Sequence, residues 1–311
     1  MLRYLLILTV LIVTATPSAA QEAIATPDSA AVEPPGNVFV PVPIIYYTPE
    51  TKLAFGLSAA YIYRVDPELP GARPSTIGAI GIYTLNHQVI VSVGGEHFFD
   101  QDRQQLLGGV AYQKFPNDFF GLGNDTNADD PESYTDEGAG VTVDYLRDLR
   151  PRLKIGGGVS IATSSITEVA AGDMLDGDVI PGSRGGPVLG VGVLTRYDTR
   201  DNVGYPVTGG FYQLSWRIYG DVLGADYALN TTSLDLRRFF RLGERRVIGV
   251  RFMGVANGGT VPFQLMPALG GDQLLRGYFG GRFRERQLVA LQSEYRSRVW
   301  KRLGLAVFGE I

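Results

Sequence analysis

The strongest constraint on this chain is a period of two. From residue 37 to the C-terminus, apolar and polar side chains alternate in segments of about ten residues, separated by clusters of turn-forming residues. In Phe211–Tyr219, Tyr212, Leu214, Trp216 and Ile218 fall on one face, and Gln213, Ser215 and Arg217 on the other. In Gln287–Val299, Val289, Leu291, Tyr295 and Val299 oppose Gln292, Glu294, Arg296 and Arg298. Leu303, Leu305, Val307 and Ile311 oppose Gly304, Ala306, Phe308 and Glu310 in the same way. A helix would repeat every 3.6 residues or so, and none of these segments does. The pattern predicts strands near 38–47, 53–64, 75–85, 87–98, 103–115, 138–149, 152–164, 186–198, 209–220, 226–241, 245–257, 286–299 and 302–311. Tight turns (Thr48–Thr51, Asn86-His87, Asp148–Pro151, Leu242–Glu244) alternate with long connections (Pro116–Gly138, Thr167–Gly185, Asn257–Arg286). Short turns on one rim and long loops on the other are the build of a bacterial membrane barrel.

Alternation alone does not say which face points outward. A soluble sandwich or lipocalin-like barrel buries the apolar face, whereas a membrane barrel turns it to lipid. The number of segments favours the membrane version, as does the placement of charge. Arg217, Asp235, Arg237, Glu294, Arg296 and Arg298 lie mid-segment, where a water-filled lumen can hold them. Aromatics collect at segment ends (Tyr46-Tyr47, Tyr61 and Tyr63, Phe98-Phe99, Phe239-Phe240), as interfacial girdles require. The 40 glycines, 16 tyrosines and 15 phenylalanines suit a chain of strands and turns. The expected fold class is all-β: a transmembrane antiparallel β-barrel of the outer membrane over 37–311.

The N-terminus agrees with export. Arg3, the apolar run Leu5–Val13 and Ser18-Ala19-Ala20 describe a signal peptide over 1–20, followed by an Ala/Pro-rich flexible leader over 21–36. The apolar run falls well short of the roughly 20 residues a membrane-spanning helix needs. A formal net charge of -4 suggests no nucleic-acid partner. The absence of cysteine rules out thiolate metal sites and cysteine nucleophiles. His87 and His97 are the only histidines, and Ser92 and His97 fall on opposite faces, so they make a poor catalytic pair. The acidic loops Asn124–Asp130 and Gly172–Asp178 lack the spacing of a calcium-binding loop, and Gly156–Gly158 lacks the lysine of a phosphate-binding loop. No enzyme activity, metal or cofactor is expected.

Two stretches are left unexplained by composition: the turn from Tyr197 to Gly210, with two carboxylates around Arg200, and the basic, glycine-rich run from Gly270 to Arg286. Gly270-Gly-Asp-Gln-Leu-Leu-Arg-Gly-Tyr278 with Gly281-Arg282 resembles the loop motif of the BamA/TamA family of outer-membrane proteins, the bacterial surface antigen barrels. The turn carrying Asp198, Arg200, Asp201, Pro206 and Gly209 is similar to that family's, as is Phe120–Asp125, and the likeness runs from about Phe39 to the end. The resemblance implies a sixteen-strand barrel into which a loop over 258–285 folds back. In it, Arg276 would pair with both Glu294 and Glu310, Gly277 would let the backbone approach the wall, and Tyr278 would complete the motif. It further implies a role in outer-membrane biogenesis, by inserting, assembling or exporting proteins. Outer-membrane lipid and unfolded outer-membrane or exported proteins would be the partners. The short leader leaves no room for a POTRA domain, and about thirteen of sixteen strands are expected, with the chain truncated at its C-terminus. A passive or gated channel with a plugging loop is one alternative, and a barrel-surface lipid hydrolase another.

Overall fold

The computed structural model describes residues 37–311 apart from 49, 66–72, 178, 221–226, 272 and 301–302. The expected signal peptide and leader lie outside the described residues. Eleven strands precede the long loop: β1 (Val38–Thr48), β2 (Lys52–Tyr63), β3 (Ser75–Thr84), β4 (Val89–Phe99), β5 (Gln104–Phe119), β6 (Glu132–Arg150), β7 (Leu153–Thr167), β8 (Gly185–Asp198), β9 (Gly209–Tyr219), β10 (Leu229–Arg241) and β11 (Arg246–Gly259). The loop contains two short strands, β12 (Ala268–Leu269) and β13 (Phe283–Arg284), and the wall resumes with β14 (Gln287–Trp300) and β15 (Leu303–Glu310). β1 to β11, β14 and β15 form one antiparallel sheet of 13 strands in chain order, a continuous meander. No described helix is long and apolar enough to cross a membrane.

Burial decides the question that alternation left open. The apolar face is the exposed one: Ile45 is 77% exposed and Val289 67%, and Val191, Val193, Leu214, Trp216 and Ile218 share the outer face with them. The buried face carries Gln105, Thr142, Asp144, Ser160, Arg196, Gln213 and Arg217. An inside-out arrangement of this kind is stable only against lipid, because water would leave the apolar face unsatisfied. Polar contacts mark the edges of the outer band. On β5, the Tyr112 hydroxyl donates to Glu137 on β6 at 2.9 Å, and lower down the Tyr145 hydroxyl donates to Gln104 at 2.6 Å. Eight residues at ~3.4 Å each, tilted by about 40°, give a band roughly 20 Å tall, somewhat shorter than the ~25 Å usual for an outer-membrane barrel.

Contacts across the interior show that the sheet is curled. Arg196 on β8 lies 3.5 Å from Glu96 on β4, although a flat sheet would hold strands four places apart at about 19 Å. A second crossing runs along a single row of the ladder. Arg217 faces Gly192, Gly192 faces Gly158, and Gly158 faces Asp144, on β9, β8, β7 and β6 in turn. The Arg217 side chain lies over Gly192, the Asp144 carboxylate over Gly158, and the two meet at 2.5 Å. A Cβ at Gly192 would collide with Arg217, and one at Gly158 with Asp144. These glycines therefore clear a path along the wall for an ion pair.

The thirteen wall strands follow the expected pattern, with one correction. Pro116–Gly138 is mostly not a loop: β5 and β6 stay paired out to Phe119 opposite Glu132, which leaves 120–131 as the connection. Aromatic packing of Phe119 and Tyr134 extends this hairpin beyond the alternating apolar stretch from which it was read.

Candidate functional site

The connection between β11 and β14 folds into the barrel interior, and its root is deeply buried. After Gly259 the chain passes Val261, Phe263 and Met266, all at or below 1% exposure. Phe263 sits in a single 3₁₀ turn, Phe263–Leu265, and packs against Phe119 and Tyr134 with ring centroids 5.2 and 5.5 Å away. Val261 and Met266 pack against Val188, Tyr219 and Leu229 on β8, β9 and β10. On the return limb, the Arg284 guanidinium donates to the Phe263 carbonyl at 2.5 Å and stacks over the Phe263 ring, so it ties the two limbs together. Arg282 lies over the rings of Phe120 and Phe283 and donates to both oxygens of Thr126. The Gly123 amide donates to the Arg284 carbonyl at 2.9 Å. The Phe120–Asp125 stretch therefore grips the return limb. At the β1–β2 turn, Glu50 accepts from the Gly280 amide at 3.0 Å.

The tip is held more lightly. Leu275 adopts φ 50, a left-handed conformation that costs a bulky residue about 1–2 kcal/mol and turns the chain so that Arg276 faces β15. The Glu310 carboxylate accepts from the Arg276 backbone amide at 3.2 Å and approaches its Nε at 3.7 Å. The guanidinium stacks over Phe308 at 4.2 Å yet stays 44% exposed. Glu294 departs from expectation: it pairs with Arg296 at 3.0 Å, and the expected contact with Arg276 is not formed. Arg296 is two residues along the same strand on the same face, so it reaches the carboxylate without crossing the lumen. Gly277 is corrected as well, because a Cβ there would meet nothing within 4 Å and close approach to the wall does not explain the glycine. Tyr278 packs edge-on against Phe283, 5.4 Å away.

From the opposite rim, the 199–208 turn reaches toward the same space. Asp198 holds Arg200 in a fork, with Nε and Nη2 each 3.0 Å from its oxygens, and also accepts from Arg73 at 3.3 Å. Asp201 accepts the amides of Asn202, Val207 and Thr208 at 2.9–3.1 Å on one oxygen. Burial pushes its carboxyl upward, but these amides outweigh that and hold it below the usual carboxylate range. Gly209 starts β9 at φ 89, where a Cβ would strike the Thr199 carbonyl. The Pro206 carbonyl accepts from Arg296, which also stacks on Tyr205 at 4.4 Å. The two stretches singled out in the sequence thus line one cavity of about 160 Å³, shared by Arg200, Pro206, Arg276, Glu294, Arg296 and Glu310.

What the sequence reading missed is the root of the loop and the Arg217–Asp144 row. Phe263 follows a proline in an apolar run, and that is its only local mark. On the outer face, His97 accepts or donates a 2.8 Å bond with the Tyr63 hydroxyl, within a stack that includes Tyr61 and Phe99. Among the described residues, no group of three His, Cys, Asp or Glu could hold a metal ion.

No protein-family model matches the sequence, and no curated protein sequence does either. Solved structures do resemble the fold. A BamA from Haemophilus ducreyi lacking POTRA domains 1–3 aligns with TM-score 0.55 at 15% identity, covering 88% of this chain and 56% of that one. CdiB from Escherichia coli aligns with TM-score 0.55 at 11% identity, covering 88% and 50%, and CdiB from Acinetobacter baumannii with 0.52 at 10%, covering 88% and 49%. The chain spans about half the length of these proteins. Taken with the inside-out wall and the in-folded loop between β11 and β14, the likeness shows that this chain has the transmembrane antiparallel β-barrel fold seen in these BamA and CdiB structures.

Proposed function

We propose that the chain works in the outer membrane as a BamA/TamA-type barrel that helps insert, assemble or export other proteins, and not as a permeation pore or an enzyme. The observation that carries this reading is the occupied lumen. The loop between β11 and β14 is rooted in the interior by Phe263 against β5 and β6 and by Val261 against β8 to β10, while Arg196 reaches across the interior to Glu96. An open diffusion channel needs a continuous water path, and these groups stand in the way. The exposed, thin apolar wall leaves lipid and nascent membrane segments as the accessible partners.

Planar-bilayer recordings and a client-folding assay test the reading together. The wild-type protein should give low, unsteady conductance, and liposomes containing it should speed the folding of an added outer-membrane barrel several-fold over empty liposomes. Large, steady conductance in the wild type with no effect on client folding would instead support a channel closed only by a movable loop.

A further inference from the structure

The arginines around the shared cavity outnumber the carboxylates that neutralise them. Asp198 serves both Arg200 and Arg73. Asp235 likewise serves both Arg237, at 3.0 and 2.7 Å, and Arg251, at 3.2 and 2.9 Å. Glu294 serves Arg296, and Glu310 serves Arg276. Among the described residues, the five guanidiniums that line the cavity therefore share four carboxylates, an excess of one positive charge in a partly desolvated lumen, and Asp198 is also drawn on by Arg73. Charge removed from water in this way draws a counter-anion, since each uncompensated group keeps its desolvation cost.

Aromatic rings place several of these cations without neutralising them. Phe211 contacts Arg196, Arg200 and Arg237 at 5.5, 4.8 and 5.3 Å, and Phe308 backs Arg276 at 4.2 Å. A ring face orients a guanidinium and leaves its hydrogens and full charge available. Arg276 is the clearest case: it touches Glu310 only through Nε, and among the described residues no hydrogen bond engages its guanidinium. The space beside it, about 160 Å³, far exceeds the ~10–15 Å³ that one water requires.

We infer that the cavity between the loop tip and the 199–208 turn is an oxyanion site that takes a phosphate group, with the Arg276 fork as its principal donor and Arg251, held on Asp235 and donating to Gln292 at 3.3 Å, adding positive charge beside it. The planar guanidinium fork matches two phosphate oxygens at once, which a lysine could not do. The phosphate belongs either to a soluble compound or to a lipid headgroup, and the recognition chemistry is the same for both.

The test uses the full chain folded in octyl glucoside, a detergent without phosphate. Inorganic pyrophosphate and dihexanoyl phosphatidic acid are titrated separately by calorimetry at low, constant ionic strength. Saturable one-site binding is expected for at least one probe, weakened about tenfold or more by Arg276→Gln and by Arg251→Gln. Arg238→Gln, on the outer side of β10, should leave the affinity unchanged. Because Arg276 is half-exposed, its variant should fold even if Arg251→Gln does not, and a gel shift between unheated and heated samples checks this. Tighter binding of pyrophosphate assigns the site to soluble phosphate, and tighter binding of phosphatidic acid assigns it to a lipid headgroup. No saturable binding of either probe, or equal weakening by Arg276→Gln and Arg238→Gln, overturns the inference.

Discussion

The root and the tip of the in-folded loop use different physics. At the root, Val261 and Phe263 are 0% exposed and Met266 1%, held against β5 to β10 by aromatic and aliphatic contacts. At the tip, Arg276 and Tyr278 are about half exposed, and one carboxylate does most of the holding. The tip carries the recognisable motif, yet the root supplies the greater share of the binding energy. A buried ring contributes several kcal/mol, whereas an exposed ion pair contributes about 0–1 kcal/mol. A loop built in this way stays in place while its tip remains able to exchange contacts.

The largest expected effect comes from removing the root. Phe263→Ala should lower stability by about 3–5 kcal/mol and expose the 260–286 loop to protease, read as a new cleavage product from intact cells or liposomes. If the loop stays protected, the root is not its anchor. Gly192→Val should rank next, at about 3 kcal/mol, because its side chain would displace Arg217 and leave Asp144 buried without its cation. Urea unfolding followed by the fluorescence of Trp216 and Trp300 measures it, and Gly192→Ala should cost less.

A smaller effect separates the turn from the loop. The folded Asp201 carboxyl is depressed, so its stabilising contribution is present above the normal carboxylate pKa and is lost as pH falls through the folded value. Asp201→Ala should cost about 1 kcal/mol at neutral pH and nothing in acid. The difference in urea midpoint between variant and wild type should therefore shrink as pH is lowered, and a constant difference would contradict the assignment. The smallest effect belongs to the tip. Arg276→Ala should change stability by less than about 1 kcal/mol and leave the loop protected from protease. A loss as large as that of Phe263→Ala would erase the distinction between root and tip.

Much of the wall was legible in the sequence because its signal is local. Which residues of a strand share a face follows from parity alone, so Gln213 could be grouped with Arg217, and Glu294 with Arg296, without knowing any neighbouring strand. The return of the loop into the lumen rested on a motif, and that motif named Arg276 and Glu310, which do meet. Glu294 shows the limit. Its face could be read, but its choice of Arg296 over Arg276 depends on the position of the loop tip, which no strand pattern encodes.

The amino-acid sequence by itself determined the thirteen wall segments, their two faces and the charged character of the polar one, since alternation over ten or so residues is a property of contiguous chain. The tertiary structure settled that lipid, not water, meets the apolar face, which segment number and mid-strand charge had already favoured. It also decided that Phe263 anchors the loop, that Gly192 and Gly158 open a path from Arg217 to Asp144, and that two distant motifs share one arginine-rich cavity. Each of these depends on ladder register and sheet curvature, which bring together residues far apart in the chain, and local periodicity carries no record of either.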